Sequence, residues 1–462
     1  GLVNAASGKI LNTGSLSVSG TVNMLFLNEG EFRHEGDDAK ITLSGSGSNG
    51  LVNSGKFIST AGCSIQISAI SFNLIRNEPG AIFENSCQTV LGTSGNPNLS
   101  NQGRYLHLSG ELQFNNGSLR NILNSGYCEL NIPIKITAGG TFAENSDTLS
   151  MGTACDFGFA QGYGSFIQNV GSNAYLFFDG KVRVANMGAV FNNSGKAILG
   201  SNSVLSGRNV HNPMLNSGHL DLQGSVSFRA FGVALSNSGT LHHSGSFKAA
   251  NSMRSIINDG GELFNSGDIQ IDSVSQSGLL CQGAHTLENE ATGSISINFC
   301  YDHGLHNAAG LFENNGDITI GARDTIGKVG LLNLGNFRNN NSITIGGDGG
   351  KFGVAALSND TTGDFLNRSY LVIDDGNSAS NPIGLENKEQ FTNDYCREID
   401  LKGFVSNTGE FDNYGIIHID SDKSHTNTGT FTNYEGQISY VQTEQIPNVM
   451  EKVDPDALTC PE

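Results

Sequence analysis

Read for hydrophobic and polar positions, the chain repeats one short phrase: an apolar residue, then Asn-x-Gly, then a run in which apolar and small polar residues alternate. It reads Leu11-Asn12-Thr13-Gly14-Ser15-Leu16 near the start and returns as Asn53-Ser54-Gly55-Lys56-Phe57, Asn193-Ser194-Gly195 and Asn407-Thr408-Gly409-Glu410-Phe411. After the turn, segments such as Gly267-Asp268-Ile269-Gln270-Ile271 and Gly316-Asp317-Ile318-Thr319-Ile320 set isoleucine on one side and polar groups on the other, as a half-buried strand requires. The intervals between Asn53, Asn77, Asn101 and Asn124 are 24, 24 and 23 residues, and those between Asn387, Asn407 and Asn427 are 20. A period of about 20 to 25 residues suits one coil of a stacked parallel fold, with three short strands and three turns. No amphipathic helix of three turns is evident. The expected fold is therefore an all-β, right-handed parallel β-helix of about 18 coils, the hand following from the rule for parallel crossovers.

In this reading glycine supplies a positive φ for the turn, and asparagine stacks its amide on the equivalent amide one coil away. The 26 phenylalanines fill the core at equivalent inward positions. The coils span 1–440. The pattern stops after Tyr440, and 441–462, with Pro447, Pro455 and Cys460, reads as a capping strap, because a solenoid must cover its sheet edges. The beat weakens over 131–168 and 344–386, which are expected to be loops and the first places to look for a localised function.

Composition removes several function classes. A net charge of −19 argues against nucleic acid and anionic membrane surfaces, and no apolar run is long enough to span a bilayer. With Gly1 rather than Met at its start, the chain is expected to be the folded part of a larger, secreted precursor.

The 8 cysteines show no close metal-ligand spacing, so neither a metal nor a cofactor is expected. Cys63 and Cys87 are separated by 24 residues, Cys128 and Cys155 by 27, and Cys281 and Cys300 by 19. Each is about one coil, so these pairs are expected to form disulfides, with Cys396–Cys460 tying down the tail. Asn98, Asn116, Asn192, Asn340, Asn359 and Asn367 stand in Asn-x-Ser/Thr sequons and are candidate glycosylation sites.

Catalytic constellations are sparse. Asp374-Asp375-Gly376 resembles the paired aspartates of pectin hydrolases, but the partner motifs are missing; Asp302-His303-Gly304 and Arg323-Asp324 are loose approaches to histidine and basic elements. His303 with His306, and His242 with His243, are read as surface histidines, and Asp37-Asp38 and 346–350 as loop tips rather than calcium sites. A sugar site would use exposed tyrosines and carboxylates.

The Asn-x-Gly coils, as in Asn53-Ser54-Gly55-Lys56-Phe57 and Asn407-Thr408-Gly409-Glu410-Phe411, together with spaced cysteines and acidity, resemble the N-terminal domain of the hyphally regulated (Hyr/Iff-type) and related adhesin-like cell-wall proteins of pathogenic yeasts, over about residues 4–440. The resemblance implies a non-enzymatic extracellular module for adhesion, wall structure and biofilm. It would be joined to cell-wall polysaccharide through a GPI-derived C-terminal part, and would act as a monomer on a surface or glycan ligand. The alternative is a secreted polysaccharide lyase or hydrolase on a β-helix.

Overall fold

The computed structural model describes residues 1–452 apart from 69, 93–95, 116–119, 138–139, 162–163, 231, 323–324, 348–350, 375–382, 421–423, 435–436 and 442–443. Every element among the described residues is a β-strand, and the strands pair in parallel with partners about one coil away. The chain is a β-solenoid of about 18 turns. It forms two compact units, Gly1–Phe228 and Arg229–Glu462, and each is built the same way.

One coil of the first unit shows the plan. Asn49–Asn53 lies on the first face, Lys56–Ser59 on the second and Ser64–Ser68 on the third. In register they pair with Ile75–Asn77, Ile82–Asn85 and Gln88–Leu91 of the next coil. Because side chains alternate along a strand, Leu51, Phe57, Ile65 and Ile67 point inward and are fully buried. Phe32, Phe57, Phe83 and Tyr105 stack with centroids 4.4–5.3 Å apart. In the second unit the same row runs Phe312, Phe337, Phe365, Phe391, Phe411 and Phe431 at 4.4–4.9 Å.

The asparagines are the buried polar spine. From Asn4 to Asn216 in the first unit, each side-chain Nδ2 donates to the Oδ1 of the asparagine one coil on, at 2.7–2.8 Å. The same Nδ2 donates to a carbonyl at the start of a second-face strand of the next coil, as Asn53 does to Ile82 at 2.9 Å. The second unit carries two such ladders. One runs from Asn307 to Asn427, and the other from Asn265 to Asn433 at the end of the second face. The second ladder begins with His243, whose Nδ1–H donates to Asn265 Oδ1 at 2.6 Å. It ends where Asn433 donates to a Glu451 carboxylate oxygen at 2.7 Å. That glutamate, in a strand over Val449–Lys452 paired with Thr430–Tyr434, closes the ladder with an acceptor.

The glycine of the beat has the expected positive φ at Gly171, 97°, but acts for a different reason at Gly55 and Gly126. Gly55 and Gly126 are absent from the positive-φ residues. Instead, a Cβ on Gly55 would fall on the carbonyl oxygen of Gly30 in the preceding coil, and one on Gly126 on that of Gly103. Close backbone approach, not handedness of the turn, selects glycine here. The ladder also passes through both stretches expected to be loops: Asn145 and Asn359 are members, and strands such as Thr141–Asn145 and Ala355–Asn359 lie within them.

The cysteine expectations separate by register. Cys63 and Cys87 are disulfide-bonded with Cα atoms 4.9 Å apart, since their 24-residue spacing equals the local coil, Ser64 pairing with Gln88. Cys128, Cys155, Cys281 and Cys300 are free buried thiols, which corrects both expected pairs. Around Cys128 the coil advances from Tyr127 to Thr148, so a 27-residue step overshoots one coil. Around Cys281 it advances from Leu279 to Leu305, so a 19-residue step falls short. Cys396 is disulfide-bonded, while Cys460 lies outside the described residues.

Cys281 occupies a ladder position, in register between Asn258 and Asn307. The Oδ1 of Asn307 is buried, receives no amide donor from that coil and is faced by the His285 imidazole. Cys281→Asn is expected to supply that donor and raise stability by about 1 kcal/mol, read as an upward shift of the denaturation midpoint with an unchanged slope.

Of the sequons, Asn98, Asn359 and Asn367 are fully buried, each with Nδ2 donating to another asparagine. A glycan would replace one of the two hydrogens on that nitrogen and has no room at a fully buried site, so these three expectations are corrected. Asn192 is half-buried on the outward side, and Asn340 is half-buried with Nδ2 donating to Glu313 at 2.8 Å. Asn116 lies outside the described residues.

Candidate functional site

The residues singled out for chemistry are mostly engaged by neighbours. Lys402 Nζ donates to Asp374 Oδ2 at 3.1 Å, and this bond is the chief cause holding the lysine's pKa above its ordinary value. Asp375, Arg323 and Asp324 lie outside the described residues. Asp302 pairs with Lys328 at 2.7 Å. His242 and His243, adjacent on one strand, point to opposite sides: His242 stacks on Phe264 at 4.8 Å, and His243 is in the buried ladder. Strand alternation thus forbids the two from meeting at one ion. Asp37 and Asp38 are exposed at a turn.

His303 and His306 do come together, with ring centroids 5.1 Å apart on the strand His303–Asn307. Burial pushes the pKa of His306 down to about 4, helped by His303 and Arg254, and burial also lowers His303. Both are neutral imidazoles at pH 7. Arg254 donates to Gln276 at 2.7 Å, and Tyr301 projects into solvent beside the group, 65 % exposed. The cluster is a polar corner with one salt bridge rather than an acid–base pair.

A second cluster, on the outward side of the second face, was not foreseen. Phe391, Phe411 and Phe431 point inward, so their successors Thr392, Asp412 and Thr432 point outward in register. Two residues on, Tyr414 and Tyr434 stack at 4.5 Å, with Tyr395 4.9 Å from Tyr414. The ammonium of Lys452 lies 5.3 Å above the Tyr434 ring, within cation–π range. Asp412 is only 9 % exposed although it faces outward, and its Oδ1 is a buried acceptor without a partner. Desolvation raises its pKa, with Glu410 adding to the shift and Lys452 opposing it. Burial, reinforced by Asp412 and Tyr434, pushes the Tyr414 hydroxyl up to about 12. The signal was available in the sequence as the recurrence Asn393-Asp394-Tyr395, Asn413-Tyr414 and Asn433-Tyr434. A pocket of about 510 Å³ lies nearby between the last coil and the strap, lined by Asn433, Ile438, Tyr440, Ile446, Val449 and Glu451 among others.

An aromatic stack beside a desolvated carboxylate is equipped to bind a polar ligand, with hydroxyls and a carboxylate for hydrogen bonds and ring edges for contact. The raised pKa of Asp412 also has a stability consequence. Its folded form favours the proton, so its contribution is best below the ordinary carboxylate pKa and is lost as pH rises through the folded value. Asp412→Asn is therefore expected to raise the melting temperature by a few degrees at pH 7, the difference from the parent chain vanishing at pH 3 in parallel thermal melts.

No family model, no curated protein and no solved structure matches the chain.

Proposed function

We propose that the chain is a non-enzymatic, extracellular module of the adhesin-like or cell-wall type, presenting its outward rows to a surface or glycan ligand. The observation that carries this reading is the state of the candidate acids. Asp302 and Asp374 are each held by a lysine, at 2.7 and 3.1 Å. A carboxylate oxygen held this way is already occupied by an ammonium, which suits neither the proton-donating acid of a hydrolase nor a base free to reach substrate. The Cys63–Cys87 disulfide supports an oxidising compartment. The tyrosine and carboxylate group around Asp412 is the surface on which contact with a ligand is placed.

The test uses beads carrying the purified chain, measured for retention on yeast-wall glucan, chitin, pectin, mammalian cells and plastic, alongside release of soluble reducing sugar from the same polysaccharides. The expected result is retention on at least one surface without sugar release, weakened by Tyr414→Ala with Tyr434→Ala. Sugar release that Asp374→Asn abolishes would favour the lyase or hydrolase instead and overturn the proposal.

A further inference from the structure

The structure assigns the Cys63–Cys87 disulfide a second state: when reduced, its two thiolates and the imidazole of His34 form a buried three-ligand site for a divalent zinc-type ion. The inference rests on three coils brought into register. His34 ends the strand Glu31–His34, Cys63 precedes Ser64–Ser68, and Cys87 precedes Gln88–Leu91. Their ligand atoms all lie within 4.8 Å of one another, and their exposures are 0, 2 and 0 %. Zinc bonds of about 2.0–2.3 Å to nitrogen and sulfur require ligands roughly this close, so small side-chain movements suffice.

His34 is suited to the role. Burial lowers its pKa, so the ring is the neutral ligand form. Its Nε2 meets the Ser64 carbonyl at 3.2 Å, next to Cys63, and its Nδ1 meets the Asn12 side-chain amide at 3.1 Å. Moving the ring proton to Nδ1 and turning the Asn12 amide gives Nδ1–H donating to Asn12 Oδ1 and frees Nε2 for the ion. That is the outer-shell hydrogen bond that orients metal-bound histidines. The chemistry balances with a phosphine reductant. The phosphine takes oxygen from water to become its oxide, the disulfide takes the two electrons and two protons to become two thiols, and the ion then displaces both thiol protons.

The experiment titrates the whole reduced chain with cobalt(II), a spectroscopic stand-in for zinc, under exclusion of air. Near-ultraviolet circular dichroism and a thermal melt are run on the metal-free reduced sample. Expected are a thiolate-to-cobalt charge-transfer band saturating at about one ion per chain, reversal by zinc, and no band in the oxidised chain. His34→Gln should abolish the tight phase, and Asn12→Ala should weaken it about 10- to 100-fold. Cys63→Ser with Cys87→Ser should remove it while the remaining cysteines stay. The inference is overturned if the reduced chain is folded and shows no such band, if the band survives His34→Gln unchanged, or if reduction unfolds the chain and cobalt does not restore it.

Discussion

Replacing Asn53 by alanine is expected to destabilise the first unit by about 4 kcal/mol. The size follows from the number of buried groups that lose a partner at once. Asn53 Oδ1 accepts from Asn28 at 2.7 Å, and its Nδ2 donates to Asn77 Oδ1 at 2.8 Å and to the Ile82 carbonyl at 2.9 Å. Alanine leaves Asn77 Oδ1 without that donor and Asn28 Nδ2 with only the Lys56 carbonyl, at 3.1 Å. Each orphaned buried group costs about 1–3 kcal/mol, far more than the net value of one satisfied bond. Asn53→Asp sharpens the test. It keeps an acceptor for Asn28 but sets a carboxylate oxygen against Asn77 Oδ1 in a dry interior, so it should be at least as harmful at pH 7 and partly recover in acid. Urea unfolding of the three chains measures this; an alanine effect below about 1 kcal/mol would show the ladder to be decorative.

The second large effect is expected at Phe365. Its ring is fully buried and sandwiched between Phe337 at 4.9 Å and Phe391 at 4.8 Å. Phe365→Ala opens a cavity that the flanking rings cannot fill, because each is held in register by its own strand pairing. The expected cost is about 4 kcal/mol, whereas Phe365→Leu, which refills most of the volume, should cost about 1–2 kcal/mol. Equal losses for the two variants would mean that ring stacking rather than volume is what matters.

Much of this architecture was legible in the chain itself. Alternation in segments such as Asp268-Ile269-Gln270-Ile271 dictates strands, and the recurrence of Asn-x-Gly dictates stacked coils with phenylalanine inside. The Cys63–Cys87 pair was legible too, because its spacing happens to equal one local coil. What was not legible depends on register. The interval between successive ladder asparagines is 28 residues from Asn359 to Asn387 and 20 from Asn387 to Asn407, since residues are added or removed at the corners. A fixed spacing therefore fails for Cys128 with Cys155 and for Cys281 with Cys300. The second ladder was hidden for a related reason: Asn289 and Asn393 lack a glycine two residues later, so the beat passes over them although their amides stack.

The sequence by itself determined the elements and their repetition, because alternation and turn chemistry are local properties of consecutive residues. Only the tertiary structure decided which residues of different coils share a column. Strand pairing fixes neighbours across 20 residues or more, and no local pattern counts the residues inserted at a corner. That is why Asn359 and Asn367 are ladder rungs rather than glycan acceptors, why Gly55 is required by the carbonyl of Gly30, and why Asp412 lies buried beside Tyr414.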